Sequence, residues 1–401
     1  MPALTVADAL ARVLDGAVPG SIERVDVAAV RGRTLAGGLS ARLTQPPFTA
    51  SAMDGYAVRA VDVADLPATL AVIGEAAAGH PFHGTVAAGQ AARIFTGAPL
   101  PAGSDAVVIQ ENCTSDGATV VVRDGQLDPE HVRRRGFDFR EGDILLQAGR
   151  VLGAREMALA GAMGHGALSV RRRPRVAIIA TGDELVLPGE TPGAAQIVCS
   201  NHLAVAALAE AAGAETRFLG IARDRRDDIA RHIAMAADAD LLVTIGGASV
   251  GDHDLVGPVL ADTGMALDFW KIAMRPGKPL MFGRRGAQRV VGLPGNSVSA
   301  IVCARVFLVP LIHALLGHSV AAEATRAVAT TVALPANGPR THYMRASTSI
   351  GGDGIARVTP VRSQDSSLLS TLAEADCLIV RPIDAPVVAA GETVPVMQLA
   401  M

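Results

Sequence analysis

The chain has 401 residues, half of them hydrophobic, and a formal net charge of −3 at pH 7. This length predicts two to four domains with ample apolar residues for their cores. The near-neutral balance supplies no basic surface, which argues against nucleic acid as a partner. Four widely spaced cysteines form no CxxC pair and fit a reducing compartment. Since no secretory signal is recognisable at the start, we expect a cytoplasmic protein.

The first element is a helix, predicted by "TVADALARVLDGA" with Thr5 as its cap. Residues 46–60 then combine turn formers, small residues and one acid, Asp54, before an alternating strand pattern. An Asp beside a Gly is usually a turn residue, because its side chain can form a hydrogen bond with its own backbone. Without further information, we interpret Asp54 as a turn residue. Glycine, proline and short alternating runs predict a β-rich region over about 70–143.

Residues 151–163 predict a helix, and "RRRPR" at 171–175 predicts a joint between domains. Beyond the joint, strand-like and helical runs alternate, which predicts a parallel, doubly wound α/β sheet. The runs are 176–181, 201–213, 216–222, 225–238 and 239–247.

A long apolar stretch at 296–318 has the length of a membrane span. Arg305, Pro310 and His313 interrupt it, so we expect a buried helix and no membrane.

Polar residues cluster where the predicted strands end, and ligands of such sheets bind there. Singly, the acids among them are best read as helix caps or turn residues. Gathered at one edge they repel each other unless a hard cation lies between them, which favours Mg²⁺. The acids are Glu184, Asp224, Asp252 and Asp254.

The loop "GGASVGDHD" at 246–254 has backbone amides and a hydroxyl that could cradle a phosphate, although such glycines more often serve turn geometry. Arg275 and Lys278 flank a Pro-Gly turn and could receive a compact oxyanion; an exposed basic turn is the alternative. "GLPGN" at 292–296 precedes the long apolar stretch.

The last eighty residues contain short β-type runs at close spacing, which predict a small barrel or sandwich. "RTHYMR" (340–345) and "SQDSSLLST" (363–371) add arginines and hydroxyls, and each alone is typical of ordinary surface polarity.

Seven ordered motifs together resemble the molybdopterin molybdenumtransferase family, the MoeA-type proteins whose relatives include the E domain of gephyrin. The resemblance covers nearly the whole chain. It rests on "SAMDGYA", "FTGAPLPAGSDAVVIQE", "RRGFD", "TGDEL", "GGASVGDHD", "RPGKP" and "GLPGNSVSA".

The resemblance implies a multidomain α/β plus β protein that forms a homodimer. The implied domains are a discontinuous linker and dimerisation domain at 1–45 and 141–172, an inserted β-rich domain at 46–140, a three-layer α/β/α molybdopterin-binding domain at 173–320, and a C-terminal β-barrel at 321–401.

The activity implied by the resemblance is insertion of molybdate into adenylylated molybdopterin, with Mg²⁺-dependent release of AMP, as the last step of molybdenum cofactor synthesis. Transient contact with the adenylyltransferase and recipient molybdoenzymes is implied as well. The catalytic candidates are Asp54, Glu184, Asp224 and Asp254, and the metal candidates are Glu184, Asp224, Asp252 and Asp254. The substrate-binding candidates are Thr96, Arg135, Asp138, Gly246, Gly247, Ser249, Gly251, Arg275, Lys278, Pro294, Asn296, Arg345, Ser367 and Ser370.

Two alternatives stay open, a molybdopterin adenylyltransferase and a non-catalytic gephyrin-like scaffold, because fold alone does not decide function. The extra domains argue against the first alternative, and the retained charged candidates argue against the second. The chain departs from the family pattern at Ser297, where a second proline is usual, and at Ala248 and Phe137. None of these departures removes a charged candidate.

Overall fold

In the computed structural model of the chain, which describes residues 3–124, 127–247, 255–318 and 325–399, the first helix is α1 (Val6–Leu14). The Thr5 hydroxyl accepts a hydrogen bond from the Asp8 backbone N–H at 3.1 Å, which confirms the predicted cap. Val6, Ala9 and Val13 are buried in the core of the later α/β layers. By its packing, α1 is therefore attached to the α/β domain.

Short strands dominate the next part of the chain, joined by 3₁₀ turns at Val27–Ala29, Ala60–Val63, Gln110–Asn112 and Pro129–His131. In chain order the elements are β1 (Ile22–Asp26), β2 (Leu39–Ser40), β3 (Ala50–Ser51), β4 (Gly55–Val58), β5 (Ala68–Ala76), β6 (Gln90–Ile94), β7 (Ala106–Ile109), β8 (Cys113–Ser115), β9 (Thr119–Val122), β10 (Val132–Arg133), β11 (Ile144–Leu146), α2 (Ala154–Ala162) and β12 (Ala167–Arg171).

Two strand pairs connect the start of the chain with residues beyond 140. β1 pairs with β12 and β2 with β11, both antiparallel. Val30 and Leu35 share a buried cluster with Leu152 and Leu168. On this ground we propose 1–45 and 141–172 as one discontinuous domain, with 46–140 inserted. Helix α1 is the part of this domain that packs on the α/β domain.

The inserted segment contains a six-stranded sheet in the order β7-β4-β6-β5-β9-β8, which confirms the predicted β-rich region. Apolar clusters cover it on both faces. Strand β4 passes so close to β7 that a Cβ on Gly55 would lie 1.9 Å from the Val108 carbonyl oxygen. Only glycine fits at this position, directly after Asp54.

The α/β domain follows the joint. Its elements are β13 (Arg175–Thr181), β14 (Leu185–Val186), β15 (Ile197–Val198), α3 (Asn201–Ala211), β16 (Glu215–Ala222), α4 (Arg226–Met235), β17 (Leu241–Ile245), α5 (Val256–Asp262), β18 (Ala266–Trp270), β19 (Met274–Arg275), β20 (Met281–Arg285), β21 (Gln288–Leu293), α6 (Ser297–Cys303), a π-helical turn (Ala304–Leu308) and α7 (Val309–Leu316).

The main sheet of this domain has the order β16-β13-β17-β21-β20-β18. The first four strands are parallel, as predicted, but β20 is antiparallel to both neighbours because it forms a hairpin with β21. Strand residues alternate between two buried clusters, one against α3, α6 and α7 and the other against α4 and α5. The domain is therefore a three-layer α/β/α structure.

The joint between the linker and α/β domains is held by side chains. Arg172 donates two hydrogen bonds, of 3.0 and 2.8 Å, to the carboxylate of Asp240. This two-point contact orients the start of β13 more firmly than a Pro-containing linker alone.

In the described part of the chain, Ser297–Leu316 is the one helical stretch long and apolar enough to cross a membrane, and 83% of its most apolar window is buried. It lies in the core of the α/β domain. The predicted buried helix is confirmed, and this burial accords with a soluble protein.

The C-terminal domain is a closed five-stranded barrel, which decides between the predicted barrel and sandwich. Its strands follow one another around the barrel as β23-β24-β22-β26-β25 and back to β23. Strand β19 of the preceding domain pairs with β23 and joins the two domains. The barrel elements are β22 (Arg326–Thr330), β23 (Thr341–Ile350), β24 (Ala356–Pro360), α8 (Leu369–Ala373), β25 (Cys377–Arg381) and β26 (Thr393–Gln398).

Candidate active site

The carboxyl ends of the parallel strands border a cleft of about 850 Å³ between the α/β domain and the barrel. Many residues singled out from the sequence line it, although they come from separate loops. They are Glu184, Asp224, Gly246, Gly247, Arg275, Lys278, Pro294 and Asn296.

Glu184 and Asp224 form an acidic wall of the cleft, one after β13 and the other after β16. A Cβ on Gly182 would lie 2.3 Å from Glu184 Oε2, so the Glu184 carboxylate folds directly over this glycine. Asp224 Oδ2 accepts a hydrogen bond of 3.3 Å from the Asp183 backbone N–H. Neither Glu184 nor Asp224 forms an ion pair within the residues that the structure describes.

Arg275 and Lys278 form a basic wall, and both side chains are exposed. The turn between them is seated on α6, since a Cβ on Gly277 would lie 2.3 Å from the Cys303 sulfur. Gly277 has a φ of +107°, a conformation that favours glycine. The backbone N–H of Ile272 donates to the Lys278 carbonyl at 3.0 Å, which further fixes the turn.

Gly246 and Gly247 form the floor of the cleft after β17. Their φ angles are +94° and +60°. A Cβ would meet the Thr181 carbonyl oxygen at 2.8 Å in the first case and Val256 Cγ2 at 2.2 Å in the second. Both positions therefore require glycine. The remaining candidates of this loop, Ser249, Gly251, Asp252 and Asp254, lie outside the described residues.

Four residues of the barrel also line the cleft, and the sequence did not indicate that these four lie close together. They are Arg340, Gln364, Asp365 and Ser366. Asn296, a predicted substrate contact, donates a hydrogen bond of 3.1 Å to Ser366 Oγ and so connects the two domains across the cleft. The start of α3 also contributes Asn201, whose side-chain amide donates to the Gly295 carbonyl at 2.7 Å. The proximity of these loops comes from tertiary packing, so no local sequence pattern could have indicated it.

Arg345 does not line the cleft, and its side chain is only 1% exposed. Its guanidinium instead holds the loop at 363–371. It donates to Thr371 Oγ1 at 2.7 Å and to three carbonyl oxygens at 2.8 to 3.1 Å, those of Ser363, Asp365 and Leu368.

The two predicted serines of this loop, Ser367 and Ser370, also lie outside the cleft lining. Ser367 donates its hydroxyl to Asp365 Oδ1 at 2.6 Å. Direct contact of Arg345, Ser367 and Ser370 with substrate stays a prediction.

His342 neighbours this region on β23, directly opposite Arg275 in the pairing with β19. Burial, reinforced by nearby positive charge, lowers the pKa of His342 to about 4. The charged neighbours are Arg275, Arg340, Arg345 and Arg381. The surroundings of His342 are therefore strongly basic, and Arg340 brings one of these charges to the cleft.

The inserted-domain candidates, Asp54, Thr96, Arg135 and Asp138, lie outside the cleft lining of their own chain. Asp54 Oδ1 accepts two hydrogen bonds of 2.8 Å, from the backbone N–H and the hydroxyl of Thr96. These bonds hold the pKa of the Asp54 carboxyl below its ordinary value. Arg135 donates to the Pro47 carbonyl at 3.1 Å, and Asp138 is exposed nearby.

Comparison with known families gives consecutive matches over most of the chain. Residues 4–164 match the family described as MoeA N-terminal region (domain I and II). Residues 177–314 match the probable molybdopterin binding domain, and 327–399 match the MoeA C-terminal region (domain IV).

Curated proteins and solved structures agree with these matches. A molybdopterin molybdenumtransferase of Nostoc sp. is 38% identical over 387 residues, which cover 94% of this chain and 88% of that protein. One of Haemophilus influenzae is 35% identical over 382 residues, covering 94% of each. A crystal structure of the molybdopterin biosynthesis MoeA protein from Pyrococcus horikoshii has a TM-score of 0.83 at 29% identity, covering 99% of both chains. The chain therefore belongs to the molybdopterin molybdenumtransferase family.

Proposed function

We propose that this protein inserts molybdate into adenylylated molybdopterin and releases AMP in a Mg²⁺-dependent reaction in the cytoplasm. As a member of its family, it is a transferase of molybdenum cofactor synthesis. The observation that carries the proposal is the pairing of an acidic wall, Glu184 and Asp224, with a basic wall, Arg275 and Lys278, in one cleft.

The basic wall suits the smaller reactant. Molybdate and the adenylylated pterin are both anions, and their approach in a partly dry site costs several kcal/mol unless cations intervene. Arg275 and Lys278 are held by a rigid turn and face the cleft. The fixed backbone of the turn presents both cations to the cleft, and two neighbouring cations can bind a compact oxyanion.

The acidic wall suits a divalent metal ion. Carboxylate oxygens are the ligands that Mg²⁺ prefers, and Glu184 and Asp224 have no cationic side chain in ion-pair contact within the described residues. Two of the four predicted ligands, Asp252 and Asp254, lie outside the described residues, and the described residues contain no group of three or more metal-ligating side chains. Glu184 and Asp224 fit the ion and would hold it. When bound, Mg²⁺ polarises the phosphate oxygens of the adenylate.

Asp54 is proposed to orient the water that cleaves the phosphoanhydride bond and releases AMP. Thr96 fixes one carboxylate oxygen, and the other, Oδ2, has no hydrogen-bond partner in the part of the chain that the structure describes. Because the Thr96 bonds lower its pKa, the carboxyl is ionised at neutral pH and can accept a hydrogen bond from water.

A homodimer explains why Asp54 lies apart from the cleft of its own chain. We propose that the partner subunit's Asp54 completes each site. Asp54→Asn and Lys278→Ala variants are refolded together and assayed at a molybdate concentration low enough that neither variant is active alone. Random pairing makes about half of the dimers mixed, and each mixed dimer has one intact site, so roughly a quarter of wild-type activity should return. No recovery from demonstrated mixed dimers would contradict the shared site.

The function itself is tested with purified protein and adenylylated molybdopterin. We expect AMP release that requires both molybdate and Mg²⁺. Lys278→Ala should raise the molybdate concentration for half-maximal activity roughly tenfold or more, with a smaller effect on pterin affinity. Lys271→Ala is the matched control, since Lys271 lies beside Trp270 outside the cleft lining. Absence of AMP release under all conditions would overturn the proposal.

A further inference from the structure

Arg223 connects the two loops that carry the acidic wall. It follows β16, and its side chain crosses to the turn after β13. There Nη1 donates to three backbone carbonyl oxygens, those of Gly182 at 3.3 Å, Asp183 at 3.1 Å and Leu185 at 3.0 Å. The guanidinium thus fixes the backbone on both sides of Glu184.

The two loops are also joined directly. The Asp183 N–H donates to Asp224 Oδ2 at 3.3 Å, and the Asp224 N–H donates to Asp183 Oδ1 at 3.2 Å. Since Arg223 contacts carbonyl oxygens, the charges of Glu184 and Asp224 are left free for another cation. An arginine paired with either carboxylate would compete with that cation.

The backbone of Arg223 is anchored independently by helix α4. Its N–H donates to Asp228 Oδ2 at 2.8 Å, and Asp228 is only 6% exposed. The Asp228 carboxylate also pairs with Arg231 on the same helix. The side chain of Arg223 is therefore fixed at the turn after β13, and its backbone at α4.

We infer that Arg223 is a positioning residue that holds Glu184 and Asp224 at the separation a divalent cation requires. The inference rests on the proposed function, because it concerns the metal of the same site. Groups that orient metal ligands without touching the metal commonly affect metal affinity by about 10- to 100-fold.

The probe is Mn²⁺ alone, titrated into the full-length protein and followed by its electron paramagnetic resonance signal. Arg223→Met keeps the apolar stem and removes the donors. It should weaken Mn²⁺ binding about tenfold and raise the Mg²⁺ concentration for half-maximal AMP release equally, with activity returning at saturating Mg²⁺. Arg225→Met, in the same loop, is the matched control and should bind Mn²⁺ as the wild type does. Arg223→Lys, whose single nitrogen has three donors, should retain most of the affinity.

A double-mutant cycle separates positioning from general stability. In a Glu184→Gln background, Arg223→Met should weaken Mn²⁺ binding less than it does in the wild type, because one of the two carboxylates that Arg223 positions is already lost. If Arg223→Met does not fold, Arg223→Gln takes its place with the same expectation. Equal Mn²⁺ affinity of wild type and the folded Arg223 variant would overturn this inference and leave the proposed function standing. A wild-type protein that binds no Mn²⁺ would overturn the metal assignment and the inference with it.

Discussion

Arg340 and Arg345 lie five residues apart, yet the structure assigns them opposite surroundings. Arg340 is exposed and lines the cleft, whereas Arg345 is buried and donates to the loop at 363–371. We therefore expect Arg345→Met to destabilise the barrel and Arg340→Met to weaken anion binding. The two variants remove the same charge and keep a similar stem.

The size of the Arg345 effect follows from its contacts. Its guanidinium makes four hydrogen bonds, each contributing about 1.5 kcal/mol when charge-assisted and buried, which amounts to about 6 kcal/mol. Removing a buried charge offsets about half of this loss. The net destabilisation should be about 3 kcal/mol. Arg340 is exposed, so its loss should cost less than about 0.5 kcal/mol of stability.

Amide hydrogen exchange measures the local effect. In Arg345→Met, backbone amides at 363–371 should lose protection by on the order of 100-fold, with the inserted domain unaffected. Arg340→Met should leave protection unchanged and raise the molybdate concentration for half-maximal activity. If Arg345→Met instead keeps full protection and only weakens molybdate binding, Arg345 contacts the substrate directly and the reasoning fails.

Further predictions concern glycines and pH. Gly182→Ala should displace the Glu184 carboxylate and raise the Mg²⁺ requirement roughly tenfold in an AMP-release assay; an unaltered requirement would contradict the packing at this turn. Because Gly182 has a φ of +148°, the same variant should also lose about 1 kcal/mol of stability. Gly55→Ala should destabilise the inserted domain by about 3 kcal/mol in thermal unfolding, because its Cβ meets the Val108 carbonyl, and a stable variant would refute that close approach. Between pH 7 and 5, unfolded chains bind a proton that buried His342, with a pKa of about 4, does not bind. The contribution of His342 to stability should therefore fall by about 2 kcal/mol at pH 5. Burial also lowers the pKa of His313 to about 4, so His342→Asn should reduce the slope in urea titrations only in part; an unchanged slope would refute the assignment.

The α/β domain could be predicted closely from the sequence. β13 is buried along nearly its whole length and reads as a continuous apolar run, whereas the edge strand β16 is only partly buried; both begin within one residue of their predicted starts. The loops at the ends of these strands meet at one edge by topology alone, and the cleft accordingly contains Glu184, Asp224 and Lys278.

Long-range pairings and side-chain direction could not be predicted in this way. The register of β1 on β12 joins residues some 140 positions apart, and no local pattern encodes it. Arg345 and Arg340 look alike in the sequence. The alternating strand pattern does not show which arginine is buried and donates hydrogen bonds to carbonyl oxygens inside the barrel. Arg223 was likewise indistinguishable from its exposed neighbour Arg225. For Asp54, only the family resemblance suggested a catalytic role in place of a turn residue.

The position of the basic wall depends on the barrel as well as on the α/β domain. Strand β19 carries Arg275 and pairs with β23, where Arg275 lies opposite His342, and the Thr341 N–H donates to the Ala273 carbonyl at 2.9 Å. The acidic wall, by contrast, is built within the α/β domain by the loops after β13 and β16. The distance between the two walls is thus set where the barrel docks. An α/β domain alone could present the carboxylates, but it would lack the strand that fixes the oxyanion side of the cleft.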